Sequence, residues 1–312
     1  METRILGRTG LKVSVMGLGA GGPSRLGQSD EVKSEAESVS LVLQALDAGI
    51  NFIDTAEAYH TEDIIGKAVA QRDRASIIIS TKKRLGGTTI TRAELRAGLE
   101  NSLRRLRTDY VDIYHLHGLR PEHYDYYLNE IVPLMQDLQE QGMIRFLGVT
   151  ESWGRDLGHN MLGRALQDDI WDVIMVGFNL LNQTARETVL ARAIEKEIGV
   201  LIMFAVRRAL SRPDHLRRTL ESLIESGEID AREIDLDAPL GFLRNDGAAP
   251  DTTDAAYRFC RDEPGVHVVL SGTSNPTHLA ANIASFARPP LPPQHITRLQ
   301  HIFRNAVSAT GG

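Results

Sequence analysis

The feature that most restricts this chain is an alternation. Short apolar runs of strand length recur along it, with segments of helical spacing between them. The runs are Met16–Gly21, Phe52–Thr55, Ser76–Ser80, Val111–Leu116, Ile144–Val149, Asp172–Val176, Val200–Met203 and Val266–Leu270. Helical patterns fall at Glu35–Ala48, Thr61–Ala70, Thr91–Leu106, a segment ending near Gly142, Leu157–Leu166, Ala185–Glu197 and Thr277–Phe286. In the first of these Val39, Val42, Leu43 and Leu46 share a face, and in the third Thr91 and Glu94 have the spacing of a capping box. Eight such strands in one chain of 312 residues predict an α/β protein built as a single (β/α)8 TIM barrel. A doubly wound sheet is the competing arrangement. It needs a glycine-rich phosphate turn after the first strand, of which Gly17, Gly19, Gly21 and Gly22 give only a part.

Two departures from a bare barrel are visible. Ile5–Leu6 and Val13–Met16 flank Gly7–Lys12, whose Gly7 and Gly10 mark a tight turn, so an N-terminal β-hairpin is expected. Between strands seven and eight, Arg207–Pro264 is several times longer than the ~6-residue median connection. Its helical pieces Asp214–Glu225 and Thr253–Arg261 bracket a polar middle at Asn245-Asp246-Gly247, the composition of an insertion that covers a ligand at the barrel rim.

Chemistry-bearing residues gather where strands end. Asp54 stands where the second run stops and Tyr59 follows it; Lys82 follows the third run, and His117 the fourth. If those strands are neighbours in a parallel sheet, the four side chains converge and make a proton-transfer site. A proton-transfer site needs a group that can give up or take a proton near working pH. Tyrosine starts near a pKa of about 10 and needs a nearby cation to give up its proton readily. A carboxylate beside a lysine keeps that lysine charged and aimed.

These residues carry a resemblance. The chain resembles the aldo-keto reductase family in its FDTAxxY-like segment NFIDTAEAY, the TK of Thr81-Lys82 and the LH of Leu116-His117. The likeness runs from LGRTGLKVSVMGLG at Leu6–Gly19 to SGTSNPTHLAANI at Ser271–Ile283. It implies one such barrel domain over 1–312, with Tyr59 as general acid or base, Asp54 and Lys82 as its tuning pair and His117 as the donor on the substrate side. It also implies a cofactor, NAD or NADP, and a small carbonyl or alcohol substrate that is polar or sugar-like. A nicotinamide-binding regulatory subunit with little turnover is the alternative.

On the cofactor side the resemblance assigns Gly272, Thr273, Ser274, His278 and Asn282 to the adenosine end, at a helix N-terminus suited to anions. Thr150, Glu151 and Met175 fall on positions that face the nicotinamide amide. Glu151 replaces a common Asn there, and Met175 a common Gln. Phe204 matches an aromatic on which the ring stacks, and Arg207 or Arg208 is placed to reach the pyrophosphate. No Lys or Arg occurs between Ser271 and Ala287, so a clamp for the 2′-phosphate of NADP is not evident.

His115-x-His117 also permits a metal reading, since alternate strand residues share a face. The other strand ends offer Glu151, Met175 and Phe204 instead of further histidines, so no metal is expected, and His115 is read as a polar lining residue or a core histidine. A net charge of −6 with no basic tract excludes nucleic-acid binding, and Arg104-Arg105 and Arg217-Arg218 fit solvated helix faces. The lone Cys260, set among Tyr257, Phe259 and Val266, suits packing in a reducing compartment. With no apolar leader and no apolar run near the ~20 residues that span a bilayer, a cytoplasmic protein that does not engage membranes is expected. Substrate choice is left to the rim loops Gly22–Asp30, Gly118–Tyr127 and Glu151–Gly154 and to the insertion, and the sequence carries no signature of oligomeric state.

Overall fold

Runs such as Val173–Gly177 and Gly199–Met203 are apolar at consecutive positions because both of their faces are covered, one by the barrel interior and one by helices. The structure, a computed structural model, describes residues 1–29 and 32–311; Asp30 of the Gly22–Asp30 loop and the terminal Gly312 lie outside the described residues. The N-terminal hairpin pairs β1 (Thr3–Ile5) with β2 (Lys12–Ser14) in antiparallel register. Then come β3 (Met16–Gly19), β4 (Phe52–Asp54), β5 (Ile78–Arg84), β6 (Val111–Leu119), β7 (Ile144–Glu151), β8 (Val173–Gly177), β9 (Gly199–Met203) and β10 (Val268–Ser271). These eight strands, all parallel, close into a barrel in sequence order, β10 pairing back onto β3. Closure rules out the doubly wound sheet.

The hairpin is the floor. Leu6, Leu11 and Val13 pack against the inward side chains Phe52, Ile78, Ile113, Val173, Leu201 and Val268, filling the lower barrel with hydrocarbon. Gly7 makes the close approach possible, since a Cβ there would lie 2.3 Å from the Glu197 carbonyl oxygen. A second, larger cluster joins the outer strand faces, including Ile53, Ile79 and Val176, to the helices. The helix Arg92–Leu106 starts at the expected box, with Thr91 and Glu94 each bonding the other's backbone N–H. The helix Glu35–Asp47 has an equivalent box at Ser34 and Glu37. No helix among the described residues is long and apolar enough to cross a membrane.

Two boundaries differ from expectation in a way that matters for the site. Strand β5 does not stop at Ser80 but continues through Lys82 to Arg84, and Ser76 belongs to a preceding 3-10 turn. Strand β6 likewise continues past His117 to Leu119, with Lys82 opposite His115 and Arg84 opposite His117. Backbone pairing holds these polar residues in the sheet, where an apolar pattern had suggested a strand end. Register shifts between Leu116 and Leu119, where Gly118 adopts a left-handed φ of 69°.

The long connection is also smaller than it looked. Thr252–Arg261 packs on β10 and on the helix Pro276–Ala287 as an ordinary barrel helix, Tyr257 meeting Phe286 at 5.2 Å between ring centroids. The added material is therefore 207–251, which carries the helices Arg208–Ser211, Pro213–Glu225 and Phe242–Asn245. Cys260 is buried on the barrel side of Thr252–Arg261, its thiol 3.6 Å from the Phe178 carbonyl.

Candidate active site

Alternation along a strand decides which residues meet. Ser80 and Lys82 of β5, and Ile113, His115 and His117 of β6, are two apart, and register sets Asp54 beside Ser80. The upper barrel interior therefore holds polar groups above the hydrocarbon floor. Lys82 is fully buried, and its Nζ lies 2.6 Å from both carboxylate oxygens of Asp54 and 2.7 Å from the Thr55 carbonyl. Ser80 donates to Asp54 Oδ1 at 2.8 Å.

Tyr59 ends a short 3-10 turn, Glu57–Tyr59, that follows β4, and it closes this group from above. Its ring lies 5.0 Å from Lys82 Nζ, and its hydroxyl is 3.4 Å from His117 Nε2, the two rings meeting edge to face. Gly21 makes room for it: a Cβ there would stand 2.5 Å from Tyr59 Cε2. Asp54, Lys82, Tyr59 and His117 are thus brought together as expected, from three neighbouring strands.

Electrostatics assign protons. Burial pushes the Tyr59 phenol above its ordinary range; Lys82 opposes this without cancelling it, and Asp54 adds to it. Tyr59 therefore rests as a proton-bearing acid. His117 is pulled down to about 3, by burial first and then by Lys82 and Arg84, so it is a neutral imidazole. Burial pushes Asp54 up, opposed by the Lys82 ammonium and the Ser80 hydroxyl.

A cavity of about 1050 Å³ opens above the tetrad, with Asp54, Tyr59 and His117 in its wall. It runs to the N-terminus of Pro276–Ala287, where Gly272, Thr273, Ser274, His278 and Asn282 line it. Thr150, Glu151, Met175, Phe204, Arg207 and Arg208 line the stretch between. A trough with an acid–base group at one end and a helix N-terminus at the other fits a dinucleotide. The family model of the Aldo/keto reductase family matches residues 16–304.

The chain belongs to the aldo/keto reductase family. Its members are oxidoreductases, and similar proteins include the aldo-keto reductase YhdN of Bacillus subtilis, 28% identical over 304 residues, 90% of this chain and 87% of that one. An L-galactose dehydrogenase of Arabidopsis thaliana is 37% identical over 157 residues, so this chain spans about half the length of that relative, 48% of each. Among solved structures, the thermostable aldo-keto reductase Tm1743 superposes with a TM-score of 0.73 at 26% identity, covering 96% of this chain and 99% of that one.

Several groups in this aldo/keto reductase sit differently from a simple lining role. Glu151 is buried, with its carboxylate 2.8 Å from His159 Nδ1 and accepting the Gly177 N–H at 2.8 Å, and burial pushes its carboxyl up. The Thr150 hydroxyl accepts from the Gly118 N–H at 2.8 Å, and Met175 contributes to the interior hydrocarbon. Phe204, at a left-handed φ of 66°, stacks with Trp153 at 6.0 Å and has the Arg207 guanidinium 4.0 Å from its centroid. Burial, then Arg208, lowers Arg207. Asn282 donates to Ser271 Oγ at 2.9 Å, which Tyr257 also meets at 2.9 Å.

Three residues escaped the sequence reading. Trp153 lines the cavity between His159 and Phe204, stacked on both, with an indole N–H that has no partner; Gly177 admits it, since a Cβ there would lie 2.0 Å from the ring. Ser80 ties the tetrad to His115, and period-two spacing from Lys82 was the available signal. Arg288, just past the Ser271–Ala287 stretch, borders the cavity but is bound to Asp254 at 2.6 Å. His115 faces Ser80, and among the described residues no three His, Cys, Asp or Glu side chains gather as a metal site. Arg105 is not simply solvated, since it bonds buried Glu62 at 2.8 Å, and Lys83 pairs with Glu57 at 3.0 Å.

Proposed function

We propose that this protein is an NAD(P)-dependent reductase that interconverts a carbonyl and an alcohol on a small, polar, sugar-like substrate. The observation that carries this is the buried Lys82–Asp54 pair set under a Tyr59 hydroxyl that opens, with His117, into the large cavity. Bound there, a nicotinamide cofactor supplies the hydride. Residues of this chain supply the rest. The Tyr59 hydroxyl gives its proton to the developing alkoxide, and the Lys82 charge beneath it stabilises the phenolate that remains. Neutral His117 orients the carbonyl oxygen beside that hydroxyl. Walls made by Trp153, Met175 and Phe204 exclude water from the reacting end.

The donor set fits such a cofactor. Phe204 offers a half-buried aromatic face near the tetrad, Arg207 and Arg208 bring cationic charge to the middle of the trough, and Asn275 caps the helix that receives the adenosine end. Asn282, Ser274 and His278 face that end. We infer that NADP is not strongly preferred over NAD. The Ser271–Ala287 stretch has no Lys or Arg, and nearby Arg288 already serves Asp254, whose other oxygen holds Arg258. An unpaired 2′-phosphate next to that carboxylate is costly.

Likeness to an L-galactose dehydrogenase over half its length supports a hydroxylated substrate, as does Ser152 in the cavity wall beside Gly118. In this reading one barrel does the whole task, and buried Cys260, with no second cysteine to pair with, suits a reducing cytoplasm. The test is turnover of reduced nicotinamide with a panel of aldoses and simple aldehydes. Sustained turnover supports the enzyme, and tight cofactor binding without turnover favours a regulatory subunit.

A further inference from the structure

His115 is completely buried, and the proton transfer just described makes no use of it. It lies in β6 two residues before His117, opposite Lys82 on one side and Gly148 on the other. Gly148 is the condition of its presence, because a Cβ there would stand 2.3 Å from His115 Nδ1. Its Nε2 is 3.1 Å from Ser80 Oγ, and Ser80 Oγ is 2.8 Å from Asp54 Oδ1.

The direction of each hydrogen in this chain follows from counting donors. Asp54, with Lys82 Nζ 2.6 Å from both of its oxygens, is a carboxylate that accepts only. The single Ser80 hydrogen is therefore directed to Asp54, which leaves Ser80 Oγ to accept from His115. Nε2 must then carry the imidazole hydrogen, which leaves Nδ1 bare beside the Val149 carbonyl, with no well-formed hydrogen bond there. Burial, with Lys82 and His117 nearby, holds His115 neutral, so the ring has one hydrogen to place.

We propose that His115 is a positioning residue for the proton transfer, its Nε2–H fixing the Ser80 hydroxyl so that Ser80 in turn fixes the Asp54 carboxylate and the Lys82 ammonium under Tyr59. The proposal rests on the reductase reading above. The charged and titratable groups around Tyr59 that would share in any change are Lys82, Asp54, His117 and Arg25.

Two experiments test it. Nitrogen-15 NMR of the unmodified protein reads the His115 tautomer without reference to turnover. The expected state is Nε2–H; the opposite tautomer, with Nδ1–H turned to the Val149 carbonyl, overturns the proposal. The second is a mutant cycle read as kcat against pH. His115→Leu is expected to lower kcat by up to about tenfold, the upper end for one hydrogen bond between neutral groups, and to shift the alkaline limb, with cofactor affinity and KM unchanged. His115→Gln, which keeps an N–H donor, is expected to restore most of that loss. In a Ser80→Ala background His115→Leu is expected to cost nothing more. Independent losses from the two changes, or a Gln variant no better than Leu, overturn it. Absence of turnover in the wild type would refute the reductase reading and leave the tautomer to decide the geometry.

Discussion

Lys82 Nζ meets both oxygens of Asp54 at 2.6 Å and the Thr55 carbonyl at 2.7 Å, three acceptors for the three hydrogens it carries. What reaches Tyr59 from this lysine is chiefly its charge, 5.0 Å from the ring centroid. The pair therefore works as a unit. Asp54→Asn and Lys82→Met are expected to lower kcat by similar factors, and the double variant to be little worse than either. Additive losses in that cycle would show that the two act separately.

The same burial has a stability consequence. Asp54→Asn leaves an ammonium buried without its counter-charge, which costs about 3–5 kcal/mol. Denaturant titration is expected to show that loss, whereas Lys82→Met with Asp54→Asn together should recover part of it. Equal stability of Asp54→Asn and the wild type would contradict the buried pair.

Dependence on pH follows from the two shifts at the cavity. Tyr59 is raised, so the phenol persists through neutral pH; kcat for carbonyl reduction should stay level and fall only above pH ~10. Alcohol oxidation needs the phenolate and should rise over that same alkaline range. His117, at about 3, contributes no limb near neutrality. Profiles of kcat in both directions check this, and a limb between pH ~6 and ~7 would mean that a histidine titrates in turnover.

Glycines at the site give a third kind of test. Gly21→Ala sets a Cβ 2.5 Å from the Tyr59 ring, and Gly177→Ala sets one 2.0 Å from Trp153. Both overpack, at a cost of about 1–3 kcal/mol. Gly21→Ala is expected to reduce kcat by displacing Tyr59, and Gly177→Ala to weaken cofactor binding by moving the Trp153–Phe204 wall. Calorimetric cofactor titration with steady-state kinetics separates the two outcomes.

Much of this was legible in the sequence for definite reasons. Apolar runs with both faces covered are continuous, so the strands of the barrel announced themselves, and Asp54, Tyr59, Lys82 and His117 stood just beyond the apolar part of theirs. The strands' true ends were hidden because Lys82, Lys83 and His117 remain in the ladder through backbone pairing, which a hydrophobic pattern does not register. Period-two spacing puts Ser80 on the face of Lys82, but the His115–Ser80–Asp54 link also depends on register between three strands, and the Trp153–Phe204 stack on the approach of two loops, neither of which a spacing displays. The connection after β9 was judged too long because the helix Thr252–Arg261 was counted within it, whereas it packs on β10 as one of the barrel's own helices.

The central claim is that Tyr59 delivers the proton, and Tyr59→Phe tests it most directly because it removes only the hydroxyl. Reduced-nicotinamide turnover is measured with an accepted carbonyl substrate, alongside the dissociation constant for the cofactor, in the wild type and the variant. The expected result is unchanged cofactor affinity with kcat lower by roughly 10²-fold or more. Undiminished kcat in Tyr59→Phe would contradict the account.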